Sequence, residues 1–73
     1  MFPLPSLRRV RLGRLLSQAD LAERAHVTEA TLSRIENGLP ARLSTIRKLS
    51  EALGVEPTEL LAGEPAPGEQ KAA

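Results

Sequence analysis

The side chains in this sequence best suited to chemistry are hydrogen-bond donors that stand near expected helix starts. Ser17, Gln18 and Thr28 lie where the free backbone amides of a helix carry partial positive charge, a setting that favours anions. The two hydroxyl side chains are also good helix caps, and a cap can contact an anion as well. These positions predict anion contacts at two helix ends, with capping alone as the simpler interpretation.

Residues that would support catalysis or metal binding are scarce. The chain has no cysteine, its single histidine, His26, falls in an expected turn, and no glycine-rich phosphate loop is present. A chain of 73 residues also has too little mass to enclose a substrate pocket. We therefore expect neither an enzyme nor a metal site or cofactor, and we interpret His26 as a structural turn residue.

Charge is distributed unevenly along the chain, although the formal net charge is only +1. Residues 1–50 hold nine lysines and arginines against four acidic residues, whereas residues 51–73 hold one lysine against five glutamates. A basic front and an acidic back orient a protein toward a polyanion, although ordinary surface charge gives the same pattern. The sequence has no apolar run long enough for a membrane span, so we expect a cytoplasmic protein without a membrane partner.

Glycine and proline divide the chain into short segments with helical periodicity, and no segment shows the alternation typical of strands. The sequence therefore predicts an all-α fold with Ser6, Ser17, Thr28 and Ser44 as N-caps. The expected helices lie at about residues 7–15, 18–25, 28–37, 44–53 and 57–62.

Apolar side chains recur at helical spacing, so each expected helix has one inward face. The expected inward residues are Leu7, Val10, Leu21, Ala22, Ala25, Leu32, Ile35, Ile46, Leu49, Leu53, Leu60 and Leu61. These helices define one domain at residues 6–62, preceded by an arm at 1–5 and followed by a disordered tail at 63–73, which is rich in glycine, proline and charge.

The second and third expected helices are separated by so few residues that they must cross steeply. Such a crossing requires a small residue where the two backbones approach, and Ala22 stands at that point. The apolar or small residues that follow it at 25, 27, 32 and 35 would lock two helices around one turn. This pattern predicts a helix-turn-helix unit, although any small helical hairpin would share it.

The segment LSQADLAERAHVTEATLSRIENG resembles the helix-turn-helix of the Cro and phage-repressor-like family, often called the xenobiotic-response-element family. The resemblance extends from about Leu7 through Leu61. It implies a compact five-helix, lambda-repressor-like domain whose third helix, at residues 28–37, enters the DNA major groove. It also implies a homodimer on double-stranded DNA and a small transcriptional regulator, with repression as the expected action.

The resemblance also suggests which side chains would read bases. The family's reading positions correspond to Glu29, Ala30 and Arg34, with Thr28, Ser33 and Asn37 beside them. Arg34 could donate to guanine, and Ala30 could offer its methyl group to thymine. Glu29 could accept from a cytosine amino group, or it could simply favour the helix dipole in the first turn.

Other family positions concern the DNA backbone. Gln18 matches a glutamine that anchors to phosphate, and Arg11 matches an arginine that forms an ion pair with the residue equivalent to Glu36. We expect this pair to be exposed and to orient Arg11 toward phosphate more than it stabilises the fold. Arg42 is the first further candidate for phosphate contact, followed by the arginines of the first helix, Arg8, Arg9 and Arg14.

The sequence departs from the family at His26 and Leu15, where glycine is common, and at Leu12, where a polar residue is common. A second functional interpretation is a protein-interaction module, including an antitoxin that binds a toxin. Its basis is an apolar patch expected from Phe2, Leu4, Leu12 and Leu39, residues that would otherwise pack at a homodimer seam.

Overall fold

The computed structural model describes residues 1–62, and this part of the chain is helical with no strand beyond one isolated bridge. The helices are α1 (Leu7–Gly13), α2 (Gln18–Ala25), α3 (Glu29–Glu36), α4 (Leu43–Leu53) and α5 (Pro57–Leu61). The all-α prediction is confirmed. None of these described helices is long and apolar enough to cross a membrane. The tail predicted at residues 63–73 lies outside the described residues.

Two of the helix starts form through the predicted side-chain caps. The Ser17 hydroxyl accepts from the Asp20 amide at 3.0 Å, and the Asp20 carboxylate accepts from the Ser17 amide at 3.1 Å. Hydrogen bonds from the Ser17 amide and hydroxyl lower the pKa of Asp20 below its ordinary value. At the start of α3, the Thr28 hydroxyl accepts from the Thr31 amide at 3.1 Å. Both caps satisfy amides that would otherwise lack a partner within their helix.

The other two predicted caps do not form. Ser6 occupies the N-cap position of α1, but it is fully buried and its hydroxyl donates to the Ala62 carbonyl oxygen. This bond ties the start of α1 to the end of α5. Ser44 lies inside α4, because that helix begins one residue earlier, after Arg42, with no side-chain cap. The prediction for Ser44 is wrong because Leu43 already has helical geometry.

Helix α1 ends at Gly13, two residues before the predicted end. The reason is the backbone of Leu15, whose φ of 58° cannot continue a right-handed helix. The chain then reaches α2 through Leu16, which is buried. The resulting corner sets the angle at which α1 approaches the helix-turn-helix unit.

A single apolar core joins the five helices. Helix α2 packs against α3 and α4, while α5 packs against α4 and α1. Nearly all the predicted inward residues are buried, but Val10 is only partly buried and Leu61 is 37% exposed. Leu61 is exposed because α5 is short and already turns Leu60 into the core.

The first residues of the chain pack onto the domain. Leu4, expected in an exposed patch, is only 3% exposed and belongs to the core. Phe2 forms an antiparallel bridge with Ala41, in the connection between α3 and α4. The expectation of an exposed Leu4 is therefore wrong, because backbone pairing two residues earlier turns this side chain inward.

Candidate nucleic-acid interface

Helices α2 and α3 form a compact helix-turn-helix unit. His26 ends α2 in the left-handed conformation, with φ 58° and ψ 42°, and the next amide, of Val27, donates to the Ala22 carbonyl at 3.0 Å. Ala22 is buried where the two helices meet, as its small size predicts. The left-handed residue reverses the chain within three residues. Histidine tolerates this conformation better than a β-branched residue does.

One side of α3 faces solvent and the other is anchored in the core. Leu32 and Ile35 are buried, whereas the predicted reading residues Glu29, Ala30 and Arg34 are exposed. The remaining predicted residues on this helix are the exposed Thr28, the partly buried Ser33 and the exposed Asn37. The exposed side of α3 therefore presents an arginine, a carboxylate, a methyl group and short polar groups, while its opposite side packs in the core.

Below this face, one carboxylate joins three helices. The Glu36 carboxylate of α3 accepts from Arg11 of α1 twice, at 2.6 Å from Nε and 3.0 Å from Nη2. It also accepts from Gln18 Nε2 of α2 at 3.1 Å, and the Arg8 guanidinium lies 3.7 Å away. The Glu36 side chain is only 2% exposed. We call these four residues the Glu36 network.

The predicted pair between Arg11 and Glu36 forms, but it is buried, contrary to the expectation of an exposed pair. Arg11 Nη1 donates to the Leu16 carbonyl at 2.8 Å, so all three nitrogens of its guanidinium are bound within the fold. This geometry makes Arg11 a brace between helices. Arg11 is buried because the turn after α1 brings Leu16 next to its guanidinium. The spacing of these residues in the sequence does not reveal this contact.

Electrostatics keep the Glu36 network ionised. Burial raises the pKa of the Glu36 carboxyl, but hydrogen bonds from Arg11 and Gln18 and the charges of Arg11 and Arg8 outweigh it, so the pKa lies below its ordinary value. The bond to Glu36 raises the pKa of Arg11, partly opposed by burial. With two cations and one anion, the network keeps a net positive charge.

Two members of the Glu36 network retain donors toward solvent. Gln18 is only partly buried, and its side-chain amide has a second hydrogen besides the one given to Glu36. The side chain of Arg8 is 68% exposed. From the sequence, Arg8 is a weaker candidate for phosphate contact than Arg42. Its spacing of three residues from Arg11, however, already placed Arg8 and Arg11 on one face of α1.

A pair of arginines outside the Glu36 network lies near the C-terminal end of α3. Arg34 and Arg42 both line an open cavity of about 470 Å³, together with Met1, Thr31, Ile35, Leu39, Pro40, Ala41 and Thr45. Both arginines are exposed. Arg14 and Arg9 are the two other arginines predicted to contact phosphate. Arg14 Nε donates to the Leu53 carbonyl at 3.0 Å, and Arg9 is exposed on α1.

The described residues contain no group of three or more histidine and acidic side chains that could hold a metal ion. The exposed groups around α3 include guanidinium, amide and hydroxyl donors, together with the Glu29 carboxylate. Such donors suit phosphate oxygens and base edges.

Comparison with known proteins agrees with this geometry. The family model described as helix-turn-helix matches residues 7–60. The restriction-modification controller protein C.AhdI from Aeromonas hydrophila is similar in structure, with a TM-score of 0.72 and 36% identity over 74% of this chain and 83% of that one. The hypothetical transcription factor NHTF from Neisseria is similar with a TM-score of 0.74 and 30% identity, over 90% of this chain and 72% of that one.

No curated protein matches the chain significantly in sequence. The family match covers more than half of the chain, and its bounds coincide with α1 at one end and α5 at the other. The chain therefore belongs to the helix-turn-helix family of DNA-binding transcriptional regulators, in its xenobiotic-response-element branch.

Proposed function

We propose that this protein binds a specific double-stranded DNA site by placing α3 in the major groove, and that it represses transcription from that site. The observation that carries the proposal is the exposed face of α3, with Arg34 and Ala30 projecting from a helix whose other side is buried. A helix reads bases only if its position is fixed, and the Glu36 network braces the end of α3 against α1 and α2.

In this proposal, Arg34 donates two hydrogen bonds to guanine O6 and N7, and the Ala30 methyl group contacts the methyl group of thymine. Glu29, in the first turn of α3, either accepts from a cytosine amino group or supports the helix dipole. Thr28, Ser33 and Asn37 supply short polar contacts to bases or sugars on the flanks.

Phosphate contacts come from both ends of this surface. Ser17 and Gln18 lie at the N-terminus of α2, where backbone amides favour an anion, and the free amide hydrogen of Gln18 has room to donate. Arg8 replaces Arg11 as the arginine of α1 directed to phosphate, because the side chain of Arg8 is 68% exposed whereas that of Arg11 is 7% exposed. Arg42 supplies the contact beyond the C-terminal end of α3.

The protein acts as a cytoplasmic homodimer and not as an enzyme. A two-fold dimer would present its two α3 helices about 34 Å apart, to successive major grooves on one side of the duplex. The described residues extend 37 Å in their longest dimension, so one chain is large enough to cover one half-site. The solved relative that controls a restriction-modification system makes a controller of this kind one candidate role.

A second candidate is a protein-interaction module or a toxin-binding antitoxin. Phe2, Leu12, Leu39 and Leu43 are large apolar side chains that remain exposed, and they would suit a protein partner or the seam of the dimer. The two candidates differ in salt dependence, because only DNA binding releases condensed counterions.

The test begins by selecting bound duplexes from a random pool and then compares Arg34→Ala with Arg47→Ala, an exposed arginine on α4 outside the reading face. Loss of a bidentate guanine contact should weaken binding to the selected duplex by about 1–3 kcal/mol and relax specificity at that base pair. Arg47→Ala should bind like the unaltered protein. If Arg34→Ala binds the selected duplex and a scrambled duplex each as tightly as the unaltered protein does, Arg34 does not read bases.

A further inference from the structure

The first four residues are bonded to the connection between α3 and α4, which borders the proposed DNA-binding surface. The Phe2 amide donates to the Ala41 carbonyl at 2.8 Å, and the Ala41 amide donates to the Phe2 carbonyl at 2.7 Å. Leu4 is buried in the core, and its carbonyl accepts from the Leu7 amide at 3.1 Å. We call residues 1–4, paired in this way with Ala41, the N-terminal clip. It is anchored at one side by the core and at the other by two backbone bonds.

The connection that the clip holds is bonded to α3 at its start, where the Gly38 and Leu39 amides donate to carbonyls of α3, and the Ala41 side chain is buried in the core. Beyond Leu39, its backbone is held by the clip. Gly38 has a φ of 104°, and Pro40 has no amide hydrogen to donate. Both backbone hydrogen bonds of Ala41 go to Phe2. Arg42 follows immediately as the N-cap of α4 and gives that helix no side-chain cap. The backbone position of Arg42 therefore depends on its neighbour Ala41, which is paired with Phe2.

The clip also borders the reading face. Met1 lines the same cavity as Arg34 and Arg42, and Ala41 forms part of its wall. The clip, the last turn of α3 and the start of α4 thus surround one concave surface with two exposed guanidinium groups. A shift in this connection would move Arg42 relative to Arg34 while leaving the helix-turn-helix unit in place.

We propose that the N-terminal clip is a positioning device that holds Arg42 where its guanidinium meets a DNA phosphate. The inference rests on the proposed function, in which Arg42 makes that contact. Phe2 acts through its backbone and touches no DNA. The mechanism is preorganisation: the two bonds remove freedom from the connection before binding, so that the entropy of ordering it is not lost when the complex forms.

The test compares Phe2→Pro with Phe2→Ala. Both substitutions remove the exposed aromatic ring, but only proline removes the amide hydrogen that Ala41 accepts. Each is combined with Arg42→Ala, and binding to the selected duplex is titrated across salt concentrations. Circular dichroism and thermal unfolding of all variants verify that the five helices persist.

Arg42→Ala should make the slope of log K against log salt shallower by about 1.8, because the proposed dimer loses one phosphate contact on each chain. Phe2→Ala is the reference, because both variants lack the aromatic ring, and relative to it Phe2→Pro should reproduce most of the change caused by Arg42→Ala. Phe2→Pro combined with Arg42→Ala should lose no more than Phe2→Ala combined with Arg42→Ala.

Three results would overturn the positioning role. If Arg42→Ala changes the slope but Phe2→Pro behaves like Phe2→Ala, the clip does not position Arg42 and the proposed function stands. If the two losses add in the double variant, the clip acts through another group. If Arg42→Ala leaves the slope unchanged, the phosphate role of Arg42 fails first and the clip has nothing to position.

Discussion

Leu15 holds a left-handed backbone with φ 58° although its side chain is 91% exposed. His26 has the same φ, at the turn between α2 and α3. A residue with a Cβ atom in this region is strained by contact with its own backbone, whereas glycine adopts it freely. The sequence marked both positions because the family commonly has glycine there, and the structure supplies the physical reason.

Leu15→Gly should raise the free energy of unfolding by about 0.5–1 kcal/mol, because relief of strain exceeds the added entropy of the unfolded chain. Little packing is lost, since Leu15 is exposed. Leu12→Gly is the matched control, because Leu12 is also exposed but lies within α1, where glycine should cost about 1 kcal/mol. Urea unfolding of both variants measures the difference, and a loss of stability in Leu15→Gly would contradict the strain argument.

Glu36 is the residue on which the junction of three helices depends. Replacing it with glutamine leaves the buried guanidinium of Arg11 without its anion, and Glu36→Gln should lower the free energy of unfolding by about 3 kcal/mol near neutral pH. Glu29→Gln, an exposed change on the same helix, should stay within about 0.5 kcal/mol. Urea titrations of the two variants make the comparison, and equal effects would mean that the pair adds nothing to stability.

The Glu36 carboxylate also predicts that the free energy of unfolding depends on pH. The pKa of Glu36 in the fold lies below its ordinary value of 4.5, so its ionised form is the one that folding favours. Its contribution is fully present above that ordinary value and is lost as pH falls through the lower pKa of the folded state. Between pH 6 and pH 3 the stability advantage over Glu36→Gln should therefore shrink. An advantage that stays constant across this range would exclude Glu36 as the group responsible.

At the scale of the element, helix starts show which local patterns are reliable. Ser17 with Asp20 and Thr28 with Thr31 form the bonds that their spacing predicts, because a cap involves residues only three apart. Ser44 has the right residue type but lies inside α4. Residue type alone therefore does not locate a cap when several polar residues precede an apolar stripe.

Thr28→Ala should lower the free energy of unfolding by about 1 kcal/mol, since it removes the acceptor for the Thr31 amide. It should also increase hydrogen exchange in the first turn of α3, at the start of the proposed reading face. Ser44→Ala is the control and should change stability by no more than about 0.5 kcal/mol, because α4 has no side-chain cap to lose. A similar loss in both variants would mean that the Thr28 bond contributes nothing specific.

At the scale of the whole molecule, the proposed phosphate contacts make the affinity sensitive to salt. Arg8 and Arg42 on each of two chains would neutralise four phosphates, for a slope of log K against log salt of about −3.6. A duplex with one half-site should give about half that slope, because only one chain can bind it. Filter binding or fluorescence anisotropy on both duplexes measures this, and a shallow slope on the full site would favour the protein-interaction alternative.

Residue patterns were sufficient to predict the features that depend on short separations along the chain. Helical periodicity and the turn residues predicted the five helices and the caps at Ser17 and Thr28, because each involves neighbours within about one turn. Family resemblance added the identity of α3 as the reading helix and the pairing of Arg11 with Glu36. The exposure of Glu29, Ala30 and Arg34 followed from the burial of the opposite face.

The burial of distant groups, and the contacts that no residue pattern marks, are visible only in the folded molecule. Arg11 and Glu36 lie 25 positions apart, and their burial depends on the corner at Leu16. Ser6 and Ala62 are 56 positions apart, so nothing near Ser6 in the sequence indicates that its hydroxyl bonds to Ala62 instead of capping α1. The pairing of Phe2 with Ala41 was equally hidden, because backbone hydrogen bonds carry no side-chain pattern. Long-range contacts form only when the whole core has closed, and local periodicity holds no information about them.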